Sequence, residues 1–302
     1  MSNYKTIILE KFQESHIASI TLNRPEKLNA INDLMMDELN AALDEIELDS
    51  SMWVVILKGA GKSFSVGQDL SGAPDTMESS PRDPREKPYM SDMWDTANRN
   101  MARFRRIYDF ARPIVAQVHG YCLGTGCDIA VCCRAVLASE DAVFGDPSVR
   151  LGMATRNPLW TWRIGLKKTT ELLLTGQYID AVEAERIGLV SKTVPFDDLA
   201  EEAFAAAEVL AKGSSMGGLD QEVSWRSCLN NVFDACGMST AWRFTTNISA
   251  LSQVQRSGRA ITNRGGLDFW GIREKDGLKA ALDARDNPFK EYFPNPPAPT
   301  RY

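Results

Sequence analysis

Short runs of β-branched residues alternate with amphipathic segments over the first two thirds of the chain. Residues 17–22, 54–57 and 114–118 have the composition of strands. Between the first two runs, residues 31–48 carry apolar side chains at helical spacing, which predicts a crossover helix. Strands that alternate with helices in this way predict an α/β fold.

Further along, the pattern continues through a helix and a strand before it changes. Asp180 and Glu183 form a capping box that predicts a helix closed by Gly188. Residues 190–194 have a strand pattern, and residues 197–212 predict a helix that ends at Gly213. We therefore expect the α/β core to span residues 1–212.

Two regions depart from the alternation. Residues 71–98 are rich in Pro, Asp, Ser and Glu, which predicts a long loop that is either a lid over a site or a solvated insertion. Residues 213–302 have no strand signal and carry Trp225, Trp242 and Trp270 in helical patterns. We interpret them as a helical C-terminal region used for oligomerisation.

Composition limits the classes of function. The chain has 34 basic and 40 acidic residues and a net charge of −6, the wrong sign for a protein that mainly binds nucleic acid. No window reaches the roughly 18 uninterrupted apolar residues of a membrane helix. We expect a cytoplasmic protein with neither nucleic acid nor membrane as its partner. Six cysteines in 302 residues fit reduced core positions better than a disulfide framework.

A strand followed by a glycine turn occurs twice. Residues 54–59 lead to Gly67 and Asp69, and residues 115–120 lead to Gly126 and Asp128. The first amides of a helix lack internal partners and lie at the positive end of the helix dipole. Two such turns on neighbouring strands predict an anion site or an oxyanion hole. A single glycine turn has a purely structural explanation, so the prediction depends on the repetition.

Four segments together resemble the crotonase superfamily, which includes enoyl-CoA hydratases and isomerases. They are LNRPEKLNA (22–30), GAGKSFSVGQD (59–69), HGYCLGTGCD (119–128) and LTGQYIDAVEAERIGLV (174–190). The resemblance covers most of residues 5–200. It implies a crotonase-like spiral of ββα turns with a C-terminal helical trimerisation region, and often a dimer of trimers. It also implies an acyl-CoA substrate, with coenzyme A as part of the substrate and neither a separate cofactor nor a metal.

The resemblance also assigns main-chain roles. The backbone N–H groups of Gln68 and Thr125 correspond to the two amides that hold the thioester oxygen. Stabilisation of that oxygen is what formation of an enolate requires. The family's clasp for coenzyme A corresponds to main-chain groups of Lys27, Leu28 and Ala30, with Lys62 close to the phosphates. A surface lysine such as Lys62 is otherwise more often merely solvated.

The acid/base positions depart from the hydratase pattern of two glutamates. Asp128 and Ser148 stand at those two places, and Asp146 lies two residues before Ser148. We expect Asp128, and with it Asp146 and Ser148, to form the catalytic set, because paired carboxylates can divide acid and base roles. The alternative is that Asp128 caps its helix and Asp146 supports a turn. Arg150 and Arg156 pair either with a substrate carboxylate or with Asp146.

These residues leave several functions open. A hydratase would add water to an enoyl-CoA, and an isomerase would need only one base to move a proton. A CoA-dependent hydrolase or carbon–carbon lyase acting on an oxo- or cyclic acyl-CoA fits an altered acid/base set. A non-catalytic protein with this fold would bind its ligand without chemistry.

The cysteines between residues 122 and 133 do not predict a metal site. His119, Cys122, Cys127, Cys132 and Cys133 are spaced so that they lie on different faces of a strand and a helix. The apolar residues among them favour packing in the core over redox chemistry. His119, at the end of a strand, is more often a packed residue than half of a catalytic Cys–His pair.

Overall fold

The computed structural model describes residues 4–71, 90–153, 157–217, 219–257 and 267–293. The strands are β1 (Ile7–Phe12), β2 (Ile17–Leu22), β3 (Val54–Gly59), β4 (Ile114–Val118), β5 (Tyr121–Leu123), β6 (Ala135–Ser139), β7 (Val143–Gly145), β8 (Tyr178–Asp180) and β9 (Lys192–Val194). The helices are α1 (Asp33–Glu47), α2 (Met90–Asp109), α3 (Thr125–Cys132), α4 (Leu159–Thr175), α5 (Ala181–Arg186), α6 (Leu199–Gly217), α7 (Leu219–Ala235), α8 (Met238–Ser257), α9 (Phe269–Asp276) and α10 (Leu278–Asp286).

Two sheets organise these elements. The larger has the order β1-β2-β3-β4-β6-β9, with β1 antiparallel to β2 and all other neighbours parallel. The smaller has the order β5-β7-β8, in which β5 and β7 are parallel and β7 and β8 antiparallel. Since β4 and β5 are separated by only two residues, the chain passes directly from one sheet to the other.

The larger sheet is covered on both faces. Every residue of β2 is buried, as expected of a strand with helices on each side. On one face α1 contributes Leu39 and Leu43 to the main core. On the other face α6 packs Ala203 and Ala207 against Val54 and other strand residues. Small side chains spaced four residues apart let this helix lie close to the sheet.

Several local predictions are confirmed. The runs at 17–22 and 114–118 coincide with β2 and β4, the run at 54–57 lies within β3, and the predicted crossover helix is α1. Asp180 is the N-cap of α5 and accepts a hydrogen bond from the backbone amide of Glu183 at 2.8 Å. Gly188, with φ of 83°, follows the end of that helix. The strand predicted at 190–194 begins only at Lys192.

The predicted end of a helix at Gly213 is wrong, because α6 continues through it to Gly217. Gly213 has a negative φ and open space around its Cα, so nothing there requires a turn. The helix therefore crosses the proposed boundary between residues 212 and 213, and the division into two regions stays a prediction. The expected helical character after this point is confirmed by α7 to α10.

The predicted loop at 71–98 is wrong for its last part. Residues 90–98 belong to α2, and residues 72–89 lie outside the described residues. Met93, Ala97, Met101 and Phe104 are buried and recur at helical spacing, which the charged residues between them conceal. No helix within the described ranges is long and apolar enough to span a membrane.

Candidate functional site

The two glycine turns predicted from the sequence lie against each other. The amide of Ser65 donates to the carbonyl of Tyr121 at 2.8 Å, and the amide of Leu123 donates to the carbonyl of Ser65 at 2.9 Å. Gly67 has φ of 91°, and a Cβ there would lie 2.6 Å from the Leu123 oxygen and 3.3 Å from the Thr125 nitrogen. Only glycine permits this approach, which places the next residue beside the start of α3.

The N-terminus of α3 is built from main-chain groups alone. Gly124 is its N-cap, with φ of 50° and no side chain to cap the helix. Its own amide donates to the carbonyl of Gly145 at 2.8 Å, which fixes the turn to the smaller sheet. Thr125 is the first helical residue, so its amide has no carbonyl partner within the helix. This end of α3 thus presents a polarised N–H group, as the repeated turns predict.

One cavity joins the predicted site residues. Gln68 and Thr125 line it together with Asp128, Asp146 and Ser148. The remaining residues of its wall are Val66, Leu70, Gly124, Pro147, Leu151, Met153 and Arg285. The structure therefore brings both predicted oxyanion residues and all three predicted acid/base residues to one place.

Asp128 is a buried carboxylate with a specific donor. It is 3% exposed, and its Oδ1 accepts a hydrogen bond from Nε1 of Trp160 at 2.8 Å. Asn157 donates to the main-chain carbonyl of Asp128 at 3.0 Å. The helix-capping alternative for Asp128 is wrong, because Gly124 occupies the N-cap position. Asp128 instead lines the cavity from within the first turn of α3.

Asp146 and Ser148 form a pair at the start of a 3₁₀ helix, Pro147–Leu151. Asp146 is its N-cap, and its Oδ1 accepts hydrogen bonds from both the amide, at 3.0 Å, and the hydroxyl of Ser148. The turn-supporting role that we considered for Asp146 is thus present. The side chains of Asp146 and Ser148 point in the same direction, because the turn at Pro147 brings the serine hydroxyl back to the carboxylate. Both residues line the cavity.

Arg150 does not pair with Asp146. Its Nη1 bonds Asp286 at 3.0 Å, its Nε donates to the carbonyl of Thr175 at 3.0 Å, and its guanidinium lies over the ring of Phe289. Of the two alternatives for Arg150, the ion pair with Asp146 is therefore wrong, and the carboxylate that it pairs with belongs to α10. Arg156, the other arginine considered from the sequence, lies outside the described residues.

No sequence pattern indicates a role for Arg285, which reaches the cavity from α10. Its Nε and Nη2 bond the carboxylate of Asp286 at 2.9 and 2.7 Å, and Nη2 also donates to the hydroxyl of Tyr178 at 3.2 Å. Burial raises the pKa of Tyr178 to about 12, so this hydroxyl stays protonated. Arg285 and Tyr178 are more than 100 residues apart in the chain, and no local pattern connects them.

The segment predicted to hold coenzyme A is tied to the cavity by main-chain contacts. Leu28 has φ of 50°, and its carbonyl accepts from the amide of Val66 at 3.1 Å. The amide of Ala30 donates to the carbonyl of Lys27 at 3.0 Å. Lys62 lies exposed on the neighbouring turn. None of these four residues lines the cavity, but the turn that contains Lys27, Leu28 and Ala30 is attached to it through Val66.

Arg24 fixes that turn. Its guanidinium donates to the carbonyl of Ala30 at 2.5 Å and pairs with Asp69 at 2.8 Å. Burial raises the pKa of Asp69, but the hydrogen bonds from Ser71 and Arg24 outweigh it and lower the value to about 2. Asp69 therefore remains an anion that holds the turn at residues 24–30 against the loop beside the cavity.

The four cysteines between residues 122 and 133 are core residues, as predicted, whereas Cys228 and Cys236 are exposed. Cys122, Cys127, Cys132 and Cys133 are buried, and burial raises the pKa of Cys133 to about 12. His119 is also buried, which lowers its pKa, and its Nε2 is 2.8 Å from the carbonyl of Gly61. Across the described ranges no cluster of His, Cys, Asp and Glu is arranged to hold a metal ion.

Comparison with known proteins identifies the family of the chain. The family model described as enoyl-CoA hydratase/isomerase matches residues 12–217. The chain is 37% identical over 253 residues to a putative enoyl-CoA hydratase of Mycobacterium tuberculosis, covering 79% of this chain and 77% of that protein. It is 36% identical over 217 residues to a probable enoyl-CoA hydratase of Rhizobium meliloti, covering 70% and 77% of the two chains.

Solved structures show the same architecture. An enoyl-CoA hydratase/isomerase from Xanthobacter autotrophicus superposes with a TM-score of 0.81 at 29% identity, covering 95% of this chain and 99% of that one. An enoyl-CoA hydratase from Mycobacterium smegmatis also gives a TM-score of 0.81, at 27% identity, covering 95% of each chain. The expected crotonase-like fold is confirmed, and the chain belongs to the enoyl-CoA hydratase/isomerase family of acyl-CoA enzymes.

Proposed function

We propose that this enzyme adds water to the double bond of a 2-enoyl-CoA thioester. The observation that carries the proposal is the single cavity in which Gln68 and Thr125 lie beside the carboxylates of Asp128 and Asp146. In the proposed complex the thioester oxygen accepts hydrogen bonds from the main-chain N–H groups of Gln68 and Thr125. No charged residue is needed there, because the amides are fixed by the two turns.

The reaction involves the thioester oxygen and the two carbons of the double bond, C2 and C3. Polarisation of the thioester carbonyl makes C3 electrophilic, and a water oxygen bonds to C3 as a carboxylate takes one proton from that water. The electrons of the double bond move to form an enolate, whose charge is on the thioester oxygen. A proton transferred to C2 then restores the carbonyl, so the product contains the elements of one water.

We assign Asp128 as the principal acid/base group. It is buried, and the hydrogen bond from Trp160 fixes one oxygen of its carboxylate. Asp146 and Ser148 form the second group, in which the serine hydroxyl and the carboxylate can orient water. An aspartate is one methylene shorter than glutamate, roughly 1.5 Å, so the reacting carbons must lie closer to α3 than they would to a glutamate.

Double-bond isomerisation is the second candidate. It is favoured by the observation that one oxygen of Asp146 already accepts both donors of Ser148. If that pair is only structural, Asp128 is the single base in the cavity. It would remove a proton from C2 of a 3-enoyl-CoA and return it at C4, with the same enolate between the two steps.

Several further predictions belong to the same proposal. Coenzyme A would lie along the turn containing Lys27, Leu28 and Ala30, with Lys62 near its phosphates. Coenzyme A is then part of the substrate, and no other cofactor is required. Self-association as a trimer or a dimer of trimers and a cytoplasmic location remain predictions from the family resemblance.

The test uses the purified full chain with 2-butenoyl-CoA and with 3-hexenoyl-CoA. Hydration is expected to remove the enone absorbance of the first substrate, whereas isomerisation creates enone absorbance from the second. Asp128→Asn is expected to lower kcat about 10²- to 10⁴-fold. Asp180→Asn is the matched control, because asparagine also caps helices and Asp180 lies away from the cavity wall. Full activity of Asp128→Asn would refute the assigned base, and binding of both thioesters without turnover would refute the reaction for these substrates.

A further inference from the structure

Arg285 is the one cation among the described residues that line the cavity. It lies in the last turn of α10, and only 10% of its side chain is exposed. Much of the remaining wall is apolar, including Leu70, Pro147, Leu151 and Met153. A guanidinium in such a wall loses water when a ligand enters, which is costly unless the ligand supplies an acceptor.

The guanidinium is held rigidly by three of its five N–H groups. Nε and Nη2 form a fork on the carboxylate of Asp286, and the second hydrogen of Nη2 goes to Tyr178. Asp286 is itself held by Arg150, whose side chain is almost fully buried. The orientation of Arg285 is therefore set by residues from three different parts of the chain.

Two donors remain on Nη1 of Arg285. Within the described part of the chain, neither makes a hydrogen bond, and Arg285 has no hydrogen bond to Asp146. Burial lowers the pKa of Arg285, but the hydrogen bond to Asp286 and the nearby Tyr178 and Asp146 outweigh it and raise the value, so the group stays charged. A fixed, charged fork with a spare edge is suited to a planar oxygen acceptor.

The position of this edge relates it to the acyl group. On the proposed function, carbons 1 to 3 of the acyl chain lie between the amides of Gln68 and Thr125 and the carboxylate of Asp128. Since Arg285 lines the same cavity, atoms beyond C3 share that space with its guanidinium. An alkyl chain there would desolvate the two donors without replacing their hydrogen bonds.

We propose that Arg285 binds an acceptor oxygen on the distal part of the acyl group, so that the substrate is an oxo- or carboxy-acyl-CoA rather than a plain alkyl enoyl-CoA. The inference rests on the proposed function for the location of the thioester. The shared feature of both substrate classes is a carbonyl or carboxylate oxygen that accepts hydrogen bonds from Nη1.

The test measures binding by calorimetry, so that it does not depend on turnover. Butyryl-CoA is compared with glutaryl-CoA, which carries a carboxylate at the far end, and with 5-oxohexanoyl-CoA, which carries a neutral carbonyl. At least one oxygenated thioester is expected to bind about 10- to 100-fold more tightly than butyryl-CoA. Arg285→Gln is expected to abolish that ratio, and Arg285→Lys to retain part of it.

Controls separate a binding role from a structural one. Arg186→Gln changes an exposed arginine of α5 and is expected to leave the ratio unchanged. Thermal unfolding shows whether each Arg285 variant is folded. Equal affinity of the wild-type enzyme for all three thioesters overturns the inference, as does an equal loss of affinity for all three in folded Arg285→Gln. A preference for glutaryl-CoA or for 5-oxohexanoyl-CoA shows whether the acceptor oxygen belongs to a carboxylate or to a neutral carbonyl.

The calorimetry and the enone assay together distinguish the inference from the proposed function. If 2-butenoyl-CoA is not hydrated but an oxygenated thioester binds more tightly through Arg285, the inference holds and the reaction is wrong. If 2-butenoyl-CoA is hydrated and no oxygenated thioester is preferred, the reaction holds and the inference is wrong. Absence of binding by every thioester overturns both.

Discussion

Replacement of Trp160 by phenylalanine tests the assignment of Asp128 most directly. Trp160 is fully buried, and its Nε1 is 2.8 Å from Oδ1 of Asp128. Phenylalanine keeps an aromatic ring at this position but removes the N–H donor. A hydrogen bond to a charged group contributes about 1.5–3 kcal/mol, and the smaller ring adds roughly 1 kcal/mol for lost packing. We therefore expect the free energy of unfolding to fall by about 2.5–4 kcal/mol.

The same change affects catalysis through the position and charge of the carboxylate. Without its donor, Asp128 gains rotational freedom, and we expect kcat to fall about 10- to 100-fold with a smaller change in KM. The acidic limb of the kcat/KM profile should move to higher pH, because the ionised form loses a stabilising hydrogen bond. Urea unfolding followed by circular dichroism and the enone assay across pH measure the two effects.

A matched control lies on the same helix. Trp162 is partly buried against the core two residues further along α4 and lies outside the cavity wall. Trp162→Phe should lower stability without moving the pH profile. If Trp160→Phe and Trp162→Phe give the same profile and the same kcat, the hydrogen bond to Asp128 has no part in positioning the catalytic group. In the background of Asp128→Asn, Trp160→Phe should have little further effect on kcat.

Three other predictions follow from the described contacts. Gly67→Ala should lower kcat about 10²- to 10³-fold by displacing an oxyanion donor, which kinetics measure. Gly213 has open space around it within a helix, so Gly213→Ala should stabilise the fold by about 0.5–1 kcal/mol, which urea unfolding measures. Burial raises the pKa of Asp69, but hydrogen bonds from neighbouring side chains outweigh it and lower the pKa from 3.8 to about 2. The contribution of Asp69 to stability is therefore present above pH 3.8 and is lost as pH falls through about 2. Acid unfolding of Asp69→Asn should lack this part of the loss, and an unchanged curve would contradict the assignment. A thiol reagent should modify Cys228 and Cys236 in the native protein and all 6 cysteines in denaturant; modification of the buried thiols before unfolding would contradict their placement in the core.

The parts of the fold that could be predicted depend on local patterns. The strand β2 is buried along its whole length, so its sequence is a continuous run of apolar and small residues. The strand β1 was missed because it lies at the edge of the sheet, where Glu10 and Lys11 interrupt the apolar pattern. The start of α2 was missed for a related reason, since its exposed face is charged and continues the polar composition before it.

The parts of the candidate site that could be predicted also depend on local patterns. The apposition of Gln68 and Thr125 could be predicted, because each lies in a glycine turn with a recognisable pattern and the family resemblance relates the two turns. The partners of the carboxylates could not be predicted. Trp160 follows Asp128 by 32 residues, and Arg150 bonds Asp286 across 136 residues. A helical pattern shows that such residues are buried or exposed but does not show which side chain each one meets.

The residues proposed for the reaction and the residue proposed to contact the acyl group lie in different parts of the chain. The family model matches residues 12–217, which contain both proposed amides and all three proposed acid/base residues, so the proposed enolate chemistry lies within the match to the family model. Arg285 and Asp286 lie beyond that part, yet Arg285 reaches the same cavity. On the proposals above, the reaction is set by residues within the family-model match and the acyl group by α10. Exchange of α10 for the corresponding helix of a relative that lacks the arginine should therefore change which thioester binds before it changes what happens at C2 and C3.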